Sequence, residues 1–202
     1  MSQVVIVDSG GANLASLRHA LDRLQVRATV SSDANEIRAA SRVILPGVGA
    51  AAMAMDRLRE RGLIDVLRSL TQPLLGICLG MQLLFEHSAE GDTPCLGLLP
   101  GRVEPLVAAP LHPVPHMGWN TLNASNHPLL KGCDREWFYF VHGFHVPGST
   151  QACIATTDYG VLIGAAFATR NVMGVQFHPE RSATAGAQLL ENFLGLHMPI
   201  AG

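Results

Sequence analysis

Two rhythms of hydrophobic and polar positions alternate along the first half of the chain. Residues 4–7, 43–45 and 74–77 are unbroken apolar runs, too short for helices and suited to strands buried on both faces. Residues 26–30 read as a further strand. Between these runs the spacing becomes helical. Leu14, Leu17, Leu21 and Leu24 follow a Gly10-Gly11 turn, in a helix that Asn13 opens. Ser32 and Asp33 are placed to cap a short helix about Ile37, a longer helix runs through Met53, Met55 and Leu58, and residues 64–70 form another. Strands and helices in this order predict an α/β fold with a mostly parallel central sheet and helices on both faces.

From about Pro94 the texture changes. Strand-like runs follow one another at residues 102–107, 119–122, 137–146, 153–157, 161–169 and 172–177, several of them separated by Pro and Gly. This predicts an antiparallel portion added to the sheet. A last helix carries Leu189, Leu190, Phe193 and Leu194 on its inward side. With no internal repeat, low-complexity segment or linker, the pattern predicts one domain over residues 1–202.

Composition narrows the function classes. Charged residues are 15% of the chain, against about 25% in ordinary proteins. Part of the surface is therefore a candidate for cover by a partner, although a large core explains the deficit equally well. No apolar run in the sequence approaches the ~20 residues of a membrane span. A net charge of −2 without a Lys/Arg cluster makes nucleic acid and anionic membranes poor partners. The opening MSQVVIVDSGG reads as a first strand rather than a secretory signal. Cys78, Cys95, Cys133 and Cys153 show neither C-x-x-C spacing nor a disulfide framework, which fits free thiols in a reducing cytoplasm.

Candidate chemistry starts in PLLGICLGMQLLFE, residues 73–86. A lone Cys in an apolar run is often a small buried hydrophobe, but Gly76 and Gly80 flank Cys78 where a strand over 74–77 turns at once into a helix over 79–86. Glycines on both sides relieve the Cβ clashes of such a turn, the physics of a nucleophile elbow with sulfur in place of oxygen. A helix N-terminus also favours a thiolate, at the carboxyl end of a strand where open α/β sheets place their sites. A nucleophile needs a base. His19 lies on a polar helix face, His127 in a turn and His197 in the tail; His142 and His145 lack a third ligand at metal-site spacing. In GVQFHPE, Pro179 keeps His178 extended, and side chains two apart in an extended chain share a side. Glu180 then orients one imidazole nitrogen of His178 and leaves the other for a thiol.

GICLGMQ and FHPE together resemble the class I glutamine amidotransferases, glutaminases of the Cys-His-Glu type. PGVGA (residues 46–50), PHMGWN (115–120), FYFVHGFH (138–145) and VDSGGANLASL near the start are similar to segments of one member, the glutaminase subunit of imidazole glycerol phosphate synthase. Ser9 and Ala12 depart from that member's opening, and Gly143 and Phe144 stand where it commonly has Ser or Thr and Tyr. Glutaminase subunits of anthranilate and aminodeoxybenzoate synthases carry similar motif pairs, but PGVGA and PHMGWN count against them. A silent, partner-binding subunit is the alternative from another class, and the complete triad counts against it.

The resemblance implies hydrolysis of the glutamine side-chain amide, with Cys78 as nucleophile, His178 as acid–base and Glu180 orienting it, and no cofactor or metal. Two N–H donors are needed for the oxyanion. Leu79 is expected to supply one, and the Gly47-Val48 stretch the other, where glycines let peptide groups approach and reorient. Gly49, Gly143 and Phe144 are implied at the substrate. Gln82, four residues after Cys78 on the same helix face, can join them, though a solvated Gln fits that spacing equally. The implied partner is a cyclase subunit in a heterodimer, faced by Asn13 and by Met117, Trp119 and Asn120 of PHMGWN. Trp119 fits an interface anchor as well as it fits a core.

Overall fold

Apolar runs that lack polar alternation become the inner strands. The computed structural model describes residues 3–9 and 14–196; the Gly10-Gly11 turn, Asn13 and His197 lie outside the described residues. In the first half β1 (Val4–Val7), β2 (Ala28–Ser31), β3 (Arg42–Gly47) and β4 (Leu74–Cys78) alternate with α1 (Leu14–Arg23), α2 (Ala34–Ala39), α3 (Ala51–Glu60) and α4 (Ile64–Arg68). β1, β3 and β4 are buried along their whole length. Successive residues of β1 serve opposite faces of the sheet: Val4 and Ile6 pack with Leu17, Leu21 and Phe193, Val5 and Val7 with Leu58, Leu63 and Leu67.

β2 begins later than residues 26–30 suggest because the chain is still leaving α1. Gln25 takes φ +59 and the Val26 N–H donates back to the Leu21 carbonyl, a Schellman closure that uses up the start of the expected strand. Asp33 caps α2 by accepting the N–H groups of Asn35 and Glu36. Ser31, not Ser32, assists it, its hydroxyl oxygen accepting the Asp33 N–H.

Beyond β4 come α5 (Leu79–Gln82), β5 (His87–Ser88), β6 (Thr93–Pro94), β7 (Arg102–Pro105), β8 (His116–Thr121), β9 (Asn123–Ala124), β10 (Trp137–His142), β11 (Phe144–His145), β12 (Cys153–Asp158), β13 (Leu162–Thr169), β14 (Val172–Val175) and α6 (Ala183–Gly195). The helix after Cys78 stops well short of residue 86. The carbonyls of Leu83, Leu84 and Phe85 accept N–H groups from residues 96–99, so a tertiary contact takes the acceptors a longer helix would need.

The main sheet runs β2-β1-β3-β4-β14-β13-β12-β9. It is parallel from β2 to β14 and antiparallel beyond. The expected antiparallel portion is present but smaller, since three of the strand-like runs lie outside this sheet. β8 pairs with β10, while β7 lies between β5 and β11 in a second small sheet. The run at 137–146 is divided at Gly143. Its first part is fastened to the core by Phe138 and Phe140, whose rings lie 4.2 Å and 5.6 Å from that of Phe177. No helix among the described residues is long and apolar enough to cross a membrane.

α5 lies against the ends of β3 and β4 at backbone distance. A Cβ on residue 80 would stand 1.9 Å from the Leu45 carbonyl oxygen, one on residue 76 2.7 Å from that of Gly80, and one on residue 47 2.5 Å from the Gly80 nitrogen. Backbone cannot swing aside as a side chain can. Gly80→Ala is therefore expected to lower the unfolding free energy by at least about 3 kcal/mol, the upper range for overpacking. Gly195→Ala, where an added Cβ meets nothing within 4 Å, is the control and should change little. Denaturant unfolding of both variants decides it: equal midpoints would show that the α5 contact is not tight.

Candidate active site

Cys78 ends β4 and immediately precedes α5, with φ +54 and ψ −115. A side-chain-bearing residue in that region is strained. It persists because Gly76 and Gly80 hold the strand and helix together on either side. Four-residue α5 carries little macrodipole, so the polarity at Cys78 comes from local groups. The Sγ lies 3.8 Å from the Val141 carbonyl oxygen, to which the thiol donates, and 3.9 Å from Gln176 Nε2, which donates to sulfur. The other cysteines are buried or partly buried free thiols. Burial pushes Cys95 and Cys133 up to about 11 and raises Cys153 as well, so none of them is a ready thiolate.

His178 follows β14 and keeps the extended backbone its proline demands, with φ −101 and ψ 95. Glu180 reaches it by a different route from the one expected. Pro179–Arg181 form a 3-10 turn rather than an extended chain, and the turn brings Glu180 Oε1 to 2.8 Å from His178 Nδ1. Nε2, on the far side of the ring, is buried and has no aligned hydrogen-bond partner. Burial by itself would push the imidazole down. The Cys78 side chain, and then Glu180, outweigh it and lift His178 to about 10, the signature of an imidazolium facing an anion-forming group. Aligned geometry between base and nucleophile often forms only with substrate in place.

A cavity of about 400 Å³ brings most of the sequence-marked residues together. Cys78, Leu79, His178 and Glu180 line it, as do Gly47, Val48 and Gly49 from the end of β3, and Gln82, Gly143 and Phe144. Gly47 is glycine for close approach to Leu79 and Gly80, whereas Gly49 takes φ +92 with open space around its α-carbon. Close packing therefore requires glycine at 47, and a left-handed backbone favours it at 49. Gln82 is buried and directs its Nε2 to the Phe144 carbonyl and to Gln176 Oε1, each at 2.9 Å. Its donors brace the wall, and the carbonyl oxygen is the atom left for a ligand. Met117, Trp119 and Asn120 stand apart from the cavity on β8. Met117 is 61% and Trp119 49% exposed, which settles Trp119 as surface. The Asn120 Nδ2 donates to the Asp158 carbonyl at 2.8 Å. Asn13 lies outside the described residues.

Several site residues carried no legible signal. Ser182 accepts the Tyr139 N–H at 3.0 Å and donates to the His178 carbonyl at 2.6 Å, while the His178 N–H donates to the Tyr139 carbonyl. β10 and the turn thus fix the backbone of His178 from both sides. Gln176, two residues before His178, was readable only as the polar interruption of an apolar strand. Glu90 lines the cavity and accepts the Ala51 N–H at 2.8 Å, in a stretch without periodicity. His142, which the sequence offers with His145 only as a metal ligand lacking a third partner, also lines it.

Residues 5–196 match the family profile of the class I glutamine amidotransferases. The imidazole glycerol phosphate synthase subunit HisH of Xanthomonas euvesicatoria is 53% identical over 201 residues, covering 98% of this chain and all of that one. That of Xylella fastidiosa (strain Temecula1) is 54% identical over 201 residues, covering 96% and 98%. Among solved structures, a putative GMP synthase protein of Thermoplasma acidophilum superposes with a TM-score of 0.73 at 19% identity, over 96% of this chain and 93% of that one. A further glutamine amidotransferase gives 0.74 at 21%, over 95% and 96%. At such identities these two establish the fold.

The charge state of His178 can be read directly. By ¹⁵N NMR its imidazole should stay protonated through pH 8, since its pKa is lifted to about 10. In Cys78→Ala and in Glu180→Gln one raising influence is lost and burial then acts with less opposition, so the titration should move down towards or below the ordinary value of about 6.5. A midpoint that is near 6.5 in all three proteins would overturn this account of the site.

Proposed function

The chain belongs to the class I glutamine amidotransferases, and from that premise we propose that it is the glutaminase subunit of an imidazole glycerol phosphate synthase, working in histidine biosynthesis. What carries the chemistry is the ring of His178, with Glu180 on one nitrogen and the other turned, buried and without an aligned partner, towards the Cys78 side of one cavity. The end-to-end identity with HisH subunits supports the choice of complex.

In this reading the Cys78 proton already rests on His178, and the thiolate attacks the side-chain amide carbon of L-glutamine. Negative charge gathers on the former carbonyl oxygen, where the Leu79 N–H and a peptide N–H of the Gly47–Gly49 stretch stabilise it; each such donor is worth roughly 10²–10³ in turnover. His178 returns its proton to the departing nitrogen, ammonia leaves, and a γ-glutamyl thioester is left on Cys78. Water then loses a proton to His178 as it attacks the thioester, and the collapse releases glutamate and restores the thiol. Ammonia passes to a cyclase subunit, the partner in a cytoplasmic heterodimer. Outward-facing Met117, Trp119 and Trp137, the last 57% exposed, support β8 and β10 as its docking face, since exposed aromatic groups make interface anchors.

Two sets of measurements test this. Cys78→Ala should abolish glutamine hydrolysis in the complex while circular dichroism shows the fold intact, and near-native activity would sink the nucleophile assignment. Removal of His178 should lower turnover by about 10²–10⁴-fold, the worth of general acid–base transfer, and removal of Glu180 by less, because it only orients the ring. Equal losses would mean that the two roles are misassigned. Trp119→Ala should leave the isolated chain folded and weaken its association with the cyclase by at least ten-fold, the scale of an interface anchor, read by titration calorimetry.

A further inference from the structure

Among the described residues His116, His142, His145 and His178 are buried, His142 and His178 line the cavity, and only His178 has a place in the proposed reaction. His116 and His142 are register partners across β8 and β10, with His116 Nδ1 2.9 Å from His142 Nε2. His142 Nδ1 lies 2.9 Å from the Phe144 carbonyl oxygen. A carbonyl only accepts, so His142 carries a hydrogen on Nδ1 and, when neutral, a lone pair on Nε2. That lone pair accepts the Nδ1 hydrogen of His116. His116 Nε2 is left with its own lone pair turned to the Asn120 amide nitrogen, a donor, at 3.5 Å. One tautomer of each ring satisfies every contact, and in it both rings are neutral. Burial holds them so, pushing His116 down to about 4 and His142 to about 3, with like-charge opposition from His112 on the first and from His116, His145 and His178 on the second.

The contacts continue to the nucleophile. The Phe144 carbonyl also accepts Gln82 Nε2 at 2.9 Å, Gln82 Nε2 donates to Gln176 Oε1 at 2.9 Å, and Gln176 Nε2 stands 3.9 Å from Cys78 Sγ. Without the His116 donor, His142 Nε2 would be a buried acceptor without a partner, and the ring would gain by changing tautomer or turning away from Phe144. We propose that His116 is a positioning residue: acting through His142, it holds the Phe144 carbonyl, and with it the Gln82 and Gln176 amides, in place beside Cys78. The inference rests on the reading of Cys78 as the glutaminase nucleophile.

His116 also stacks between Phe140 and Tyr159, at centroid distances of 4.8 Å and 3.9 Å. Two substitutions separate this packing from the hydrogen bond. His116→Phe keeps the ring and loses the donor; His116→Asn loses the ring and keeps an amide nitrogen near the Nδ1 position. In the complex with the cyclase, kcat/KM for glutamine should fall about ten-fold in the Phe variant and less than about three-fold in the Asn variant, as loss of one buried donor implies. In the isolated chain, alkylation of Cys78 by iodoacetamide should be slower in the Phe variant than in the Asn variant, and ¹⁵N NMR should show His142 as the fixed Nδ1–H tautomer in the wild type and lose that signature in His116→Phe.

A Phe variant as active as wild type, or more active than the Asn variant, overturns the proposal, because packing alone would then account for His116. So does a wild-type spectrum with the His142 hydrogen on Nε2, a result that needs no variant to fold. If the wild-type complex fails to hydrolyse glutamine while tautomer and alkylation follow the stated order, the glutaminase reading fails and the positioning role stands.

Discussion

The close approach of α5 to the ends of β3 and β4 is the constraint on which the rest of the site depends. Three glycines, 47, 76 and 80, remove side chains that would otherwise occupy backbone positions. With the helix that near, the chain leaves β4 only through a left-handed turn, and Cys78 occupies it at φ +54. Strain of that kind costs of order 1–3 kcal/mol and persists only where the surroundings over-determine it. Here they do, because β4 is paired on both sides, by β3 and by β14. The thiol is thereby set at the strand's carboxyl end, between the Gly47–Gly49 stretch and the chain that leaves β14.

Electrostatics then separates histidines that share a similar degree of enclosure. Burial opposes the charged form of His116, His142 and His178 alike, yet the first two are pushed down to about 4 and 3 and the third is lifted to about 10. The difference lies in the partners. His116 and His142 face each other and a peptide carbonyl, an arrangement complete only when both are neutral. His178 faces a carboxylate and a thiol. His142 and His178 line one cavity, so a ring that favours its proton lies near a His116–His142 pair that disfavours one, an arrangement that suits an acid–base role for His178 alone.

The sequence made part of this legible. Unbroken apolar runs announced the parallel strands, and the glycine-flanked Cys78 and the FHPE segment marked the candidate nucleophile and the candidate base that the cavity brings together, because those features depend on neighbours close in the chain. Features that depend on distant neighbours were not legible. α5 ends early because residues 96–99 take its acceptors, β2 starts late because a Schellman closure precedes it, and β8 and β10 leave the main sheet to carry Phe138 and Phe140 onto Phe177. The GVQFHPE pattern predicts the His178–Glu180 contact through an extended chain, whereas a 3-10 turn makes it. Ser182, Gln176 and His116 act through partners distant in the chain or across a strand pair, and no local pattern marks such residues.

Strained Cys78, paired with His178, is expected to form a covalent bond to the γ-carbonyl of glutamine. Acid quench of the working complex with glutamine, followed by peptide mass spectrometry, tests it directly. A glutamyl group should appear on the peptide that carries Cys78 and be removed by hydroxylamine, as a thioester must be. No adduct under conditions of steady turnover, or an adduct on Cys95, Cys133 or Cys153, would contradict it.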